Sequence, residues 1–111
     1  MAVYVRVLIQ SKIVETAQTT QYTSVAVITI IDKFTATNYG ATAATLSVNL
    51  VAALDNPGNQ NLVIKALSLQ PGQTYLFPEL IGQVMAAGGT ISTIAGTANT
   101  ITIRASGRSV S

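Results

Sequence analysis

The sequence predicts an all-β protein, an antiparallel β-sandwich of jelly-roll or immunoglobulin type, with one short helix near residues 78–87. Apolar and polar residues alternate along most segments, which places successive side chains on opposite faces of a sheet. These segments are short and are separated by Gly- and Pro-containing turns, a spacing typical of sandwiches. The 111 residues suit a single domain that buries roughly two-thirds of the surface of its unfolded chain.

The central stretch, Thr23–Leu54, predicts two long strands joined as a hairpin by the small residues of Thr37–Thr42. In the second arm, Leu, Val and Ala alternate with Thr, Ser and Asn from Thr45 to Ala52. Such alternation is typical of a strand with one buried face.

The first arm of this hairpin is apolar on both faces. Its two sets of alternating residues are Val25, Val27 and Ile31 on one side, and Ala26, Ile28 and Ile30 on the other. A strand that is apolar on both sides needs cover on both sides, either from a second sheet or from another protein. Both interpretations stay open at this point.

The N-terminal residues Val3–Ile9 also alternate, and they predict a first strand or an extended arm that adds to the sheet of a partner. Residues 10–21 are polar and predict a connection with at most one weak strand. We therefore expect residues 1–20 to form an N-terminal strand or arm, residues 21–107 the sandwich, and residues 108–111 a loose tail.

Turn residues divide the second half of the chain. Asp55–Asn59 combines Asp, Asn, Pro and Gly and predicts a turn. The strand Leu62–Leu69 changes the parity of its apolar residues near Ala66, which predicts a bulge. Gln70–Gln73 has Pro second and Gly third, as a type II turn requires.

The last third predicts a helix between strands. Residues 78–87 begin with Pro and Glu, place apolar pairs four residues apart at Leu80/Val84 and Ile81/Met85, and precede two glycines. The predicted strands of this region are Thr74–Phe77, Thr90–Ala95 and Asn99–Ser106.

The composition leaves little chemistry for catalysis. Histidine and cysteine are absent, and the four carboxylates are Glu15, Asp32, Asp55 and Glu79. Without imidazole or thiol, the usual general base, nucleophile and metal ligands are missing. We expect no enzyme activity, no cofactor and no metal site. A weak Ca²⁺ site at residues 55–61 is the alternative, but the same residues are typical of a plain turn.

The charge pattern also argues against two classes of partner. The six Lys and Arg residues are spread along the chain without a cluster, so we expect no nucleic-acid binding. No apolar run approaches the ~20 residues that a membrane helix needs, and no signal peptide is evident at the N-terminus. We expect a protein that is made in the cytoplasm and does not insert into membranes.

Only 9% of the residues are charged, whereas 49% are hydrophobic. Surface charge keeps small domains soluble and monomeric, so this composition suggests a protein that works inside an assembly. The residues that we expect to form its interfaces are Val3, Val5, Val7, Val25, Val27, Ile28 and Ile30.

Several segments resemble the small β-sandwich structural proteins of tailed-bacteriophage virions, in particular the capsid decoration (cement) proteins. The segments are Thr37–Asn38 with Ala41–Val48, Leu69–Thr74, Ala87–Ser92 and Ala98–Gly107, within residues 23–107. The resemblance implies a non-enzymatic protein on the capsid surface that bridges neighbouring shell subunits. It also implies the major capsid protein or other virion proteins as partners, and a homo-oligomer, either dimer or trimer.

Two other functions compete with decoration. A head–tail joining protein or a tail structural protein of the same sandwich type differs only in its position on the particle. A carbohydrate-binding receptor module needs exposed aromatic rings, for which the sequence offers only Tyr4, Tyr39 and Tyr75.

Overall fold

In the computed structural model, which describes residues 2–111, nine strands and one 3₁₀ turn follow one another along the chain. The strands are β1 (Val3–Ile13), β2 (Thr19–Thr23), β3 (Ile28–Asn38), β4 (Ala44–Val51), β5 (Leu62–Leu69), β6 (Thr74–Tyr75), β7 (Val84–Met85), β8 (Thr90–Ala95) and β9 (Ile101–Val110). The 3₁₀ turn covers Asn59–Asn61, just before β5. The prediction of an all-β sandwich is confirmed.

Two antiparallel sheets form the sandwich. Sheet A has the order β1-β9-β3-β6, and β7 also pairs with β3; sheet B has the order β2-β8-β4-β5. When β6 and β7 count as one interrupted strand, the first strand pairs with the last, the second with the last but one, and so on inwards. This is a long antiparallel ribbon folded over itself, which is the jelly-roll rather than the immunoglobulin arrangement.

The core lies between the inner faces of the two sheets. Phe34 of β3 meets Phe77 edge to face with ring centroids 4.9 Å apart, and Tyr75 packs on the other side of Phe77 at 4.8 Å. The largest fully buried aliphatic side chains around them are Ile31, Leu46, Leu69, Leu80, Ile91, Ile101 and Ile103. Residues from both sheets thus alternate inwards, as the period of two predicts.

Several local predictions are confirmed. β5 spans Leu62–Leu69, and its residues 65 and 66 lie opposite Ser47 alone, so the bulge is present, with Ala66 at a positive φ of 48°. In the turn Gln70–Gln73, Gly72 has φ 78° and the Gln73 N–H donates to the Gln70 carbonyl at 3.0 Å. β8 covers Thr90–Ala95 as predicted.

The predicted hairpin in Thr23–Leu54 is wrong. β3 lies in sheet A and β4 in sheet B, so residues 39–43 cross from one sheet to the other. The two strands pair with β9 and with β8 and β5, respectively, instead of with each other. Alternation has the same period in a hairpin and in a crossover, and for this reason the sequence pattern does not separate the two.

The predicted helix at residues 78–87 is also wrong. These residues form turns and the short strand β7, with Gly82 at φ 86°. The backbone bonds sideways to β3: the Gly82 N–H donates to the Ile31 carbonyl at 2.7 Å, and the Ile31 N–H donates to the Gln83 carbonyl at 3.0 Å. Pairing with the open edge of β3 therefore outweighs the local helical pattern.

Both ends of the chain are built into sheet A. β1 pairs with β9 from Val3 onwards, so residues 3–13 belong to the sandwich. β9 extends to Val110 with Ser109 fully buried, and residues 108–110 are therefore strand rather than the loose tail that we expected.

Candidate interaction surface

An apolar patch covers the outer face of sheet A at the end where both termini lie. Cross-strand partners in an antiparallel sheet share a face, and the register places Val3, Val110 and Ile28 in one row. The next row contains Val5, Arg108, Ile30 and Val84. A third row contains Val7, Ser106 and Lys33. We call the apolar residues of these three rows the outer patch, which consists of Val3, Val5, Val7, Ile28, Ile30, Val84 and Val110.

Five of the seven side chains of the outer patch are exposed to solvent, and those of Ile30 and Val110 are half-buried. Val5 is 89% exposed, Val84 63%, Val3 56% and Ile28 45%. Apolar residues scattered singly on a surface are ordinary, whereas apolar residues grouped across four strands are typical of an interaction site.

The parity of the strands explains why these residues face outwards. Their immediate neighbours Thr29, Ile31, Gly107 and Ser109 point into the sandwich and are buried. At this end the interior becomes polar: the Thr29 hydroxyl lies 2.8 Å from the Tyr22 hydroxyl and 2.7 Å from that of Ser24. The inward-facing positions of these strands already pack against sheet B. No other layer of the described residues lies over the outer face of sheet A, so the outer patch stays uncovered.

Charged groups lie within and beside the outer patch, with Arg108 between Val5 and Ile30 in the second row. Arg108 makes a bidentate ion pair with Asp32, with Nη2–Oδ1 and Nε–Oδ2 distances of 2.9 Å, and this hydrogen-bonded pairing raises the pKa of Arg108. Lys33 and Arg104 follow on the same face beside a small open hollow. Lys33 is far in sequence from Arg104 and Arg108, but all three cations share one face, with one carboxylate among them. The apolar residues of the patch therefore have polar, mildly basic neighbours.

Most predicted interface residues lie in the outer patch. Val3, Val5, Val7, Ile28 and Ile30 are brought together on its surface. Val25 and Val27 are not on a strand, because β3 begins only at Ile28.

The connection before β3 explains the position of those two valines. Ala26 has a positive φ of 58°, and the Val27 carbonyl accepts the Ser24 hydroxyl at 2.6 Å. Val25 is 73% exposed beside the patch, while Val27 is half-buried.

Two patch residues, Val84 and Val110, were missed by the sequence reasoning. The alternation of β9 predicts the position of Val110. Ile101, Ile103 and Ala105 face inwards, so the even-numbered residues, Val110 among them, face outwards. The expectation of a loose tail at residues 108–111 conflicts with this signal, and β9 continues to Val110. Val84 gave no such signal, because its segment has helical spacing.

A shallow groove of about 410 Å³ adjoins the patch at Val84. It runs between residues 50–53 at the end of β4 and residues 84–87, and its walls are mostly Val, Leu, Met and Ala. The groove extends the apolar surface towards the end of sheet B.

Each carboxylate of the chain has a partner. Glu15 accepts Lys12 at 2.8 Å and Gln21 at 2.9 Å, and these bonds hold its pKa below the ordinary value. The Tyr75 hydroxyl donates to Glu79 at 2.8 Å, which raises the pKa of Tyr75.

Asp55, in the turn where a calcium ion was considered, bonds to the turn itself. The Asn56 N–H donates to its Oδ1 at 2.8 Å and holds the pKa of Asp55 below its ordinary value. The Asn61 amide donates to its Oδ2 at 3.3 Å. Across residues 2–111, no three or more acidic, His or Cys side chains are grouped as a metal ion would require.

The exposed tyrosines do not form a common platform. Tyr4 lies opposite Ser109, at one end of β9, whereas the Tyr39 N–H donates to the Thr100 carbonyl at the other end. The length of β9 separates the backbones of the two residues by roughly 30 Å.

Comparison with known proteins adds no assignment. A scan with protein-family models, a search of curated proteins and a search of solved structures each found no match to this chain. The part of the chain that the structure describes has no helix long and apolar enough to cross a bilayer.

Proposed function

We propose that this protein is a non-enzymatic structural protein of a tailed-bacteriophage virion, which decorates the capsid and stabilises it by bridging neighbouring shell subunits. The observation that carries the proposal is the outer patch, an apolar face that the sandwich itself leaves uncovered. The resemblance of residues 23–107 to decoration proteins supports the choice of partner, and a jelly roll is a fold that viral capsid proteins use. Because a fold by itself does not define a function, the proposal rests on the chemistry of the outer patch.

The energetics favour an adhesive role for the outer patch. Full burial of a Val or Ile side chain contributes about 1.5–3 kcal/mol, so a partner that covers several of these residues gains a useful interface core. Specific interfaces bury about 800 Å² on each partner and combine an apolar centre with a polar rim. Asp32 and Lys33 lie where such a rim is expected, and the charge of Arg108, between Val5 and Ile30, is compensated by its ion pair with Asp32.

The same surface suits a bridge between shell subunits. The patch crosses four strands of one sheet, and the groove at Val84 continues it around the end of the sandwich. A sheet face with an adjoining groove presents apolar area in two directions, so one molecule can contact two neighbouring subunits.

Binding to stripped capsids tests this proposal. Val84→Lys places a charge in the patch at an exposed position, so we expect binding to shells to weaken at least tenfold, with the fold intact. Ser68→Lys makes the same change in charge on the exposed side of β5 and should bind as the wild type does. The measurement is co-sedimentation with particles from which the protein has been removed.

The particle itself gives the second measurement. Particles that lack the protein should release DNA at lower temperature than intact ones, and adding the wild-type protein should restore their resistance. Equal resistance of stripped and intact particles would contradict decoration. If the protein instead lies at the neck or tail in labelled particles, the head–tail joining or tail function replaces it.

A further inference from the structure

We propose that a second copy of this chain pairs with the free edge of β1, so that two sheets A join into one continuous sheet about a two-fold axis at Val5. This pairing is independent of what the outer patch binds. It follows from the state of the sheet edges, from the direction of the backbone groups of β1, and from the pattern of its side chains.

Among the described residues, Val3–Val7 of β1 is the stretch of sheet edge that is least protected against pairing. The register shifts of β1 and Lys12 lie beyond Val7, and the one charged residue within the stretch is Arg6. β2 is a polar strand of five residues with a register shift, β5 is interrupted by its bulge and carries Lys65, and β6 and β7 have two residues each. These are the devices by which proteins block their sheet edges. Val3–Val7, by contrast, is a regular strand without proline, and all five of its side chains are exposed.

The hydrogen bonds at the end of the sheet show which backbone groups of β1 are free. The Ala2 N–H donates to the Ser111 carbonyl at 3.0 Å, and the Ser111 N–H donates to the Ala2 carbonyl at 3.0 Å. In an antiparallel ladder such mutually bonded pairs alternate, so Tyr4 and Arg6 also bond towards β9. The N–H and carbonyl groups of Val3, Val5 and Val7 therefore point to the open edge.

This direction restricts the possible registers. Odd residues have to pair with odd residues, so the two-fold axis passes through a residue and not between two residues. An axis at Arg6 places two guanidinium groups opposite each other, which is unfavourable. An axis at Tyr4 leaves Val7 without a partner inside the regular stretch. An axis at Val5 pairs all five residues of Val3–Val7.

The side chains match in this register. On the outer face, Val5 meets Val5 of the partner subunit, and Val3 meets Val7 of the partner subunit. Cross-strand pairs of β-branched residues are favourable. On the inner face, Tyr4 meets Arg6 of the partner subunit. Within one copy the Arg6 guanidinium already lies 5.9 Å from the Tyr4 ring centre, so a cation and an aromatic ring are suitable neighbours here.

The size of the contact sets its strength. Five paired residues extend over roughly 17 Å and form about six backbone hydrogen bonds, less than a standard interface provides. We therefore expect a dissociation constant on the order of 1–100 µM for the free protein. Because the axis is perpendicular to the sheet, both outer patches face the same way and together form one doubled apolar surface.

Sedimentation velocity from about 1 µM to 1 mM tests the dimer, a range that brackets the expected affinity. Val5→Lys brings two ammonium groups together on the axis and should weaken dimerisation at least tenfold. Val84→Lys adds the same charge to the same face but away from the edge, and should dimerise as the wild type does. A wild type that is monomeric throughout this range, or a Val5→Lys variant with unchanged dimerisation, would overturn the pairing.

Single cysteines test the register, because the natural chain contains none. A hydrogen-bonded pair has a Cα separation of about 5.5 Å, within the range of a disulfide, so oxidised Val5→Cys should form a covalent dimer. Val3→Cys alone should not, since the two copies of residue 3 lie about 13 Å apart along the strands. A mixture of Val3→Cys and Val7→Cys should cross-link. Equal cross-linking of Val3→Cys and Val5→Cys, or none at Val5, would rule out this register.

These tests and those of the proposed function have separate outcomes. Val84→Lys should lose shell binding and keep the dimer, whereas Val5→Lys should lose the dimer. A dimer that does not bind shells would refute decoration alone, and a monomer that binds them would refute the pairing alone.

Discussion

The buried amide of Asn38 determines where the chain leaves sheet A for sheet B. Its Nδ2 donates to the Thr42 carbonyl at 2.8 Å and to the Leu69 carbonyl at 2.9 Å, while its Oδ1 accepts the Gly40 N–H at 2.8 Å. One side chain thus satisfies three backbone groups in a crossover that has no ladder of its own. Buried polar groups need such partners, and here asparagine supplies both donors and an acceptor.

Replacing this amide should therefore be costly. Asn38→Ala leaves three backbone groups without their partner, and we expect the free energy of unfolding to fall by roughly 3 kcal/mol. Urea denaturation measures this change. Asn59→Ala, at an exposed position of the 3₁₀ turn, is the control and should cost less than 1 kcal/mol. A similar loss for both variants would show that the crossover does not depend on the Asn38 amide.

Among the elements, β3 provides the pairing partner on both of its sides: β9 on one, and β6 and β7 on the other. It pairs with β9 along its whole length on one side, and on the other its edge is shared by β6, β7 and the turn residues between them. Two glycines allow these contacts for different reasons. Gly82 supplies a left-handed backbone conformation with free space around it, whereas a Cβ at Gly107 would collide with the Ile30 carbonyl oxygen.

The two glycines should respond differently to alanine. Gly82→Ala meets only the backbone cost of a positive φ, so we expect a loss of about 1 kcal/mol. Gly107→Ala has to push β9 away from β3 and should cost about 3 kcal/mol or more. Thermal and urea unfolding give both values, with Ser106→Ala as the control on β9. The explanation fails if Gly82→Ala proves the more destabilising of the two.

At the scale of the whole molecule, the few charged groups make stability depend on pH mainly through carboxylates. The hydrogen bonds from Lys12 and Gln21 lower the pKa of Glu15, and the Asn56 N–H lowers that of Asp55. A carboxylate whose pKa is depressed by folding stabilises the folded state above its unfolded pKa. This contribution is lost as the pH falls through the folded pKa.

We therefore expect the melting temperature to be level from pH 7 to about pH 5 and to decline below about pH 4.5, the ordinary value for Glu15. Glu15→Gln should melt slightly lower than the wild type at pH 7 and decline less steeply in acid. Differential scanning calorimetry across this range provides the measurement. A variant that loses as much stability as the wild type in acid would show that the Lys12–Glu15 contact is not involved.

The sequence alone was sufficient to predict the features that depend on residues close together in the chain. Alternation identified β5 and β8, the change of parity at Ala66 identified the bulge, and Pro71-Gly72 identified the type II turn. It also identified five of the seven outer-patch residues as interface candidates, because an apolar strand face has to be buried against either a second sheet or another protein.

Only the tertiary structure decided which strands pair and which apolar faces remain uncovered. Val5 and Ile31 are equally apolar in sequence, yet one is 89% exposed and the other is fully buried. Strand pairing joins residues far apart in the chain, so local spacing did not reveal the crossover at residues 39–43 or the strand β7 in a helical pattern. A period of two shows which side chains share a face, but whether that face meets a second sheet or solvent depends on how the whole ribbon folds.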